Sequence, residues 1–197
     1  MTAPDAARRS SRRRLLAVAS IFIVPLAAAV LLYYSTGWRP EVNAQGTLID
    51  PPRPLDVAGL ARPDGRPAPA EIFLGRWSLV HPIGAACDER TRDILDELAR
   101  VCLALDKDAG RVQPVLVHDG DCEAIAPGSH AADPLVLAAP GSAGDRFRAQ
   151  FPVAVDGAAG IYIVDPQGKL MMSYPATGSA RGLLKDLERL LRLSSIG

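Results

Sequence analysis

Residues 77–118, WSLVHPIGAACDERTRDILDELARVCLALDKDAGRVQPVLVH, change hydrophobic period twice, and that double change decides the fold class. Trp77 to Val80 is an apolar run of strand length that closes at His81-Pro82. From Asp88 onward, Ile94, Leu95, Leu98, Val101, Cys102 and Leu105 recur at spacings of three and four, separated by charged residues. This periodicity predicts an amphipathic helix of about eighteen residues. Val112 to Val117 returns to a strand pattern and ends at His118-Asp119-Gly120-Asp121. Strand, helix, strand is the unit from which parallel sheets are built.

Toward the C-terminus, Cys122 to Ala143 reads as a loop with a brief apolar island at Leu135 to Leu137, and Asp145 to Gln150 as a short helix. Gly160 to Val164 predicts a buried strand, Asp165-Pro166-Gln167-Gly168 a tight turn, and Lys169 to Tyr174 the hairpin partner. Leu183, Leu184, Leu187, Leu190 and Leu191 fall on one face of a final helix from about Ser179 to Leu193. The expected class is α/β, a mixed central sheet flanked by helices.

Toward the N-terminus, Asp50-Pro51-Pro52-Arg53-Pro54 predicts an extended, semi-rigid spacer. Ahead of it, Leu15 to Tyr34 carries no charged residue, a stretch long enough for one helix to cross the ~30 Å hydrocarbon layer. Arg8, Arg9, Arg12, Arg13 and Arg14 precede this stretch and only Arg39 follows closely. The positive-inside bias therefore places the N-terminus in the cytoplasm and the C-terminal domain outside it. Ser11-Arg12-Arg13 gives the start a twin-arginine look, but signal-peptide cores run about 7–15 residues, shorter than this one. An uncleaved anchor is expected. The layout is a basic tail (1–14), a transmembrane helix (15–34), a Pro-rich linker (35–55) and a globular domain (56–197), single-pass in the inner membrane with a periplasmic body.

Five arginines and one aspartate precede Ser35, so the balanced total of 22 basic and 22 acidic residues leaves 17 against 21 beyond it, a net of −4. A net-acidic body offers nucleic acid no electrostatic footprint. No Gly-x-Ser-x-Gly elbow, phosphate loop, His-Glu-x-x-His helix or Cys-x-x-Cys pair is present, which removes support for hydrolase, nucleotide and zinc chemistry. The carboxylates are scattered over helix faces, where a solvated surface is the ordinary explanation. The three cysteines, Cys87, Cys102 and Cys122, leave at least one free thiol in an oxidising compartment.

A cysteine just after the first central strand is the thioredoxin order, and several stretches resemble the Sco/SenC family of copper-handling cytochrome oxidase assembly proteins. They are the anchor, Gly46-Thr47-Leu48-Ile49 with Pro51 to Leu55, Gly75-Arg76-Trp77-Ser78-Leu79-Val80, and Ile161 to Gly168 followed by the Leu-rich helix. Gly168-Lys169-Leu170-Met171-Met172-Ser173-Tyr174-Pro175 is similar to the short Sco-like transmembrane proteins of bacterial oxidase operons. The resemblance implies a membrane-anchored thioredoxin-like protein that assists assembly or copper maturation of a respiratory cytochrome c oxidase. Its partners would be oxidase subunits or another copper chaperone.

In that family two cysteines spaced Cys-x-x-x-Cys and a distant histidine hold copper. Soft thiolates favour Cu(I), and imidazole accepts either oxidation state. Cys87 fits the first cysteine, Thr91 stands at the second, and the histidine position falls near Ala159 or Gly160, with no histidine between Phe151 and Asp165. The helix start favours a Cys87 thiolate, while Asp88 and Glu89 oppose it. Cys102, on the apolar helix face, is expected to be a buried core thiol. Cys122 follows Val112 to Val117, and parallel neighbouring strands end on one sheet edge, the edge that carries Cys87.

Two arrangements stay open. In one, Cys87 is the reactive cysteine with Cys122 as redox partner, or the two form a displaced metal site with His118 or His81. In the other, Cys122 is a free loop thiol and the histidines, His130 included, are solvated or strand-end residues. The corresponding functions are an assembly factor handling copper, a protein-interaction module without metal or redox chemistry, and a membrane-bound thiol–disulfide oxidoreductase. An assembly role, rather than an enzyme, is the leading expectation.

Overall fold

The computed structural model describes residues 18–28, 30–31, 44–84, 87–120, 122, 132–152 and 160–194. The chain divides into two compact units, Met1–Asn43 and Ala44–Gly197. In the first, residues 18–28 and 30–31 are helical and almost wholly exposed. Among the described residues no helix is long and apolar enough to cross a membrane. Residues 15–17, 29 and 32–34 of the expected span lie outside them, as do the basic tail and His130.

The second unit is built on a sheet that has six strands among the described residues, in the order β1-β6-β5-β2-β3-β4. β1 is Thr47–Pro54, β2 Trp77–Pro82, β3 Val112–His118, β4 Leu135–Ala138, β5 Ile161–Val164 and β6 Lys169–Tyr174. β2, β3 and β4 run parallel, and β5, β6 and β1 continue the sheet antiparallel from β2. The helices are α1 (Glu89–Ala104), α2 (Ser142–Arg148) and α3 (Ala180–Leu193).

The strand pattern explains the layers. β2 and β5 are buried at every position, as strands covered on both faces must be. Leu79, Leu116, Ile163 and Met172 pack with Leu95, Leu98 and Cys102 of α1 and Leu183, Leu187 and Leu191 of α3. Val80, Val115, Tyr162 and Val164 point the other way, against Leu60, Phe73, Phe147 and Phe151. Asp165-Pro166-Gln167-Gly168 makes the β5–β6 turn, with Gly168 at φ 78°, a conformation that favours glycine. The Asp165 carboxylate accepts the N–H groups of Gln167 and Lys169.

Two expectations are corrected. Thr47–Pro54 is not a free spacer but the edge strand beside β6, with a register break between Leu48 and Arg53. Proline is tolerated there because an edge strand has one side without a ladder partner. The apolar island Leu135 to Leu137 is likewise not loop but β4, which pairs with β3 from Val115 to His118. Its four residues are too few to show a period of their own.

Candidate functional site

Both cysteine loops leave the same edge of the sheet. The β2–β3 register places Pro82 opposite Val117, so Cys87 and Cys122 each lie five residues past one matched pair. They are joined as a disulfide, Cα to Cα 5.0 Å, across a sequence separation of 35. Both are half-buried and rest against the cluster formed by α1, α3 and the sheet. Cys102 is free and 2 % exposed within that cluster. Burial pushes its thiol up to about 12, so it stays protonated and apart from exchange chemistry.

Cys87 precedes α1 rather than opening it. Asp88 is the N-cap, and its Oδ1 accepts both the Thr91 N–H and the Thr91 hydroxyl at 2.8 Å. Those two hydrogen bonds hold the Asp88 carboxyl below its ordinary value. Thr91, buried at 5 % exposure, therefore occupies the second-cysteine position as part of the helix cap.

The two described histidines, His118 and His81, have backbone partners. His118, half-buried at the end of β3, donates from Nδ1 to the Gly120 carbonyl at 2.6 Å. His81 is buried in β2 and donates from Nδ1 to the Gly160 carbonyl at 2.9 Å, the backbone point near which the Sco resemblance expected a histidine. Burial lowers its pKa most, the Gly160 hydrogen bond opposes that, and the nearby Arg90 and Asp88 charges add smaller opposing effects. Among the described residues no group of three or more His, Cys, Asp or Glu side chains could hold a metal ion. In this form the sulfurs of Cys87 and Cys122 are bonded to each other, and His118 Nδ1 is engaged with the Gly120 carbonyl.

His81 gives the domain a pH response. The unfolded chain titrates at its ordinary 6.5 while the folded chain titrates lower, so between these values the unfolded state binds more protons. Stability present above pH 6.5 is lost as pH falls through that window. Asparagine can keep a donor to Gly160 without titrating, so His81→Asn is expected to flatten the fall of the urea midpoint below pH 6.5. Equal pH slopes in the two proteins would refute the assignment.

A thioredoxin-like fold with a disulfide linking the loops after two adjacent parallel strands defines the class. Residues 77–194 match the model of the transmembrane-like, thioredoxin-like C-terminal domain, and the chain belongs to that family. No curated protein matches it. Among solved structures, the apo Sco1 protein of Thermus thermophilus is similar at 22% identity and TM-score 0.58, covering 77% of this chain and 99% of that one. A SCO1/SenC family lipoprotein of Bacillus anthracis aligns at 15% identity and TM-score 0.50, covering 72% and 98%. Yeast Sco1 with copper bound aligns at 17% identity and TM-score 0.50, covering 68% and 90%. The fold is that of the Sco proteins.

The second sulfur of the site comes from the loop after β3, not from the helix. Its signal in the sequence was topological, since Cys122 lies in the loop that follows β3, the parallel neighbour of β2. What sequence reasoning missed is Asp88, whose carboxylate three residues before Thr91 is an N-cap pattern.

Proposed function

We propose that this chain is a membrane-tethered, extracytoplasmic thiol–disulfide exchange protein of Sco-like fold that serves respiratory copper oxidase assembly by acting on cysteines of an oxidase subunit or a copper chaperone. The Cys87–Cys122 disulfide at the sheet edge is the observation that carries this reading. Copper sites need reduced thiolates, which an oxidising compartment converts to disulfides. A dithiol donor first reduces the Cys87–Cys122 bond and becomes a disulfide itself; the Cys87 thiolate then attacks a partner disulfide, a mixed disulfide forms and one partner thiolate leaves. Cys122 then attacks the Cys87 sulfur and releases the second partner thiolate. Two electrons have passed to the partner and Cys87–Cys122 is closed again.

The arginine-flanked apolar stretch supports the tether and the extracytoplasmic address. Copper carriage by this chain has less support, because Thr91 is held by Asp88 and His81 by Gly160. Oxidised glutathione tests the reading on the reduced full-length protein. The expected result is loss of two thiols and closure of Cys87–Cys122, whereas Cys122→Ser stops at a glutathione adduct on Cys87, read by mass. Thiols at both positions that stay free would sink thiol exchange. One Cu(I) bound per reduced chain, lost in either single cysteine variant, would move the function to copper carriage.

A further inference from the structure

One guanidinium reaches both cysteine loops. Arg148, the last residue of α2, donates from Nη1 to the Ile83 carbonyl and from Nη2 to Asp119 Oδ2, each at 3.3 Å, and from Nη2 to Asp145 Oδ1 at 2.6 Å. Ile83 stands four residues before Cys87, and Asp119 three residues before Cys122. Asp119 Oδ1 also accepts the Gly141 N–H at 2.7 Å, which ties the second loop to the start of α2. The Ile83 N–H donates to the Val117 carbonyl at 2.8 Å, so the two loops leave the sheet in register. A Cβ at Gly84 would lie 3.2 Å from Arg148 Nε, so glycine there lets the guanidinium lie against the backbone leading to Cys87. The Arg148 side chain is 25% exposed and Asp119 20%, partly shielded from water.

We propose that Arg148 is a positioning residue that holds the two cysteine loops together when the disulfide is open, and so sets how readily Cys87 and Cys122 reclose; as a redox role it rests on the thiol-exchange reading. A planar fork with several fixed donors can hold two partners in separate directions, which a lysine ammonium does less well. Closing a disulfide is an intramolecular step whose equilibrium depends on the effective concentration of one thiol at the other. In the oxidised chain the S–S bond restrains the loops whether or not Arg148 is present. In the reduced chain Arg148 is the polar brace that reaches both, so its removal frees the reduced form more and shifts the equilibrium toward dithiol.

The test is redox equilibration of the full chain in detergent micelles with dithiothreitol. The reagent gives up two electrons and two protons, becoming its cyclic disulfide, while the Cys87–Cys122 bond opens to two thiols. Arg148→Ala is expected to lower the equilibrium constant for the protein disulfide about tenfold, a potential ~30 mV less reducing for a two-electron couple. Arg148→Lys should fall between, and Arg146→Ala, on the same helix, should match the unchanged chain. Substitutions that weaken both redox forms equally leave this constant unmoved, which separates positioning from stability. Asp119→Asn, the gentler change at the other end of the brace, should shift it several-fold in the same direction. Constants within twofold of the unchanged chain for both Arg148→Ala and Asp119→Asn would overturn the proposal. The dithiothreitol equilibrium stays measurable even if exchange with glutathione fails, so the two readings fail separately.

Discussion

Replacing Cys87 and Cys122 together by alanine is expected to lower the unfolding free energy by about 3–4 kcal/mol. The disulfide closes a loop across a separation of 35 residues, and a cross-link of that span restricts the unfolded chain by roughly this amount in the loop-entropy account. The melting temperature should fall on the order of 10 °C for a domain of this size. The urea m-value should rise, because the unfolded chain without the cross-link exposes more surface. Dithiothreitol should bring the unsubstituted protein to the same midpoint as the double variant, which assigns the loss to the bond rather than to the side chains. A double variant whose midpoint matches that of the oxidised chain would show that the bond contributes nothing to the folded domain.

The same pair shows how far the sequence could be read. The period change between Trp77 and His118 predicted parallel neighbours, and parallel neighbours predicted that Cys87 and Cys122 share an edge. The register that lines up Pro82 with Val117 turned a shared edge into contact, and no periodicity encodes register between strands buried along most of their length. β1 was misread because Pro51, Pro52 and Pro54 erase the alternation that marks a strand, while an edge position accepts them. Arg148 was invisible for a different reason. Its partners, Ile83 and Asp119, lie 65 and 29 residues away in sequence. Cys102 was legible because a 3.6 period alone places it among Leu98 and Leu105, and it is buried there.

Asp186→Ala is expected to cost about 3–5 kcal/mol, although Asp186 sits in a helix where a carboxylate ordinarily reads as solvated surface. It is 4 % exposed on the inner face of α3. Its Oδ2 accepts the Tyr174 hydroxyl at 2.7 Å, the Gln45 N–H at 2.7 Å and the Gly46 N–H at 3.2 Å. Removing it strands three donors at once, each worth about 1–3 kcal/mol when left unsatisfied, with water entry offsetting part of the sum. Burial raises the Tyr174 pKa first, and the hydrogen bond to Asp186 raises it further, so the phenol stays a proton donor. Tyr174→Phe removes one donor and leaves the carboxylate its two backbone partners, so about 1–2 kcal/mol is expected. A double-mutant cycle between Asp186→Ala and Tyr174→Phe should give a coupling of the same size as the single loss at Tyr174. Gln45 and Gly46 lead directly into β1, whose first ladder pair is Thr47 with Ser173. Asp186 therefore fixes the start of the edge strand as well as the end of the hairpin. Amide exchange at Gln45 and Gly46 should accelerate in Asp186→Ala well before exchange in β2 or β5 does. A loss below about 1 kcal/mol with unchanged exchange at those two amides would mean that this carboxylate, despite its burial, does not hold the entry of the domain.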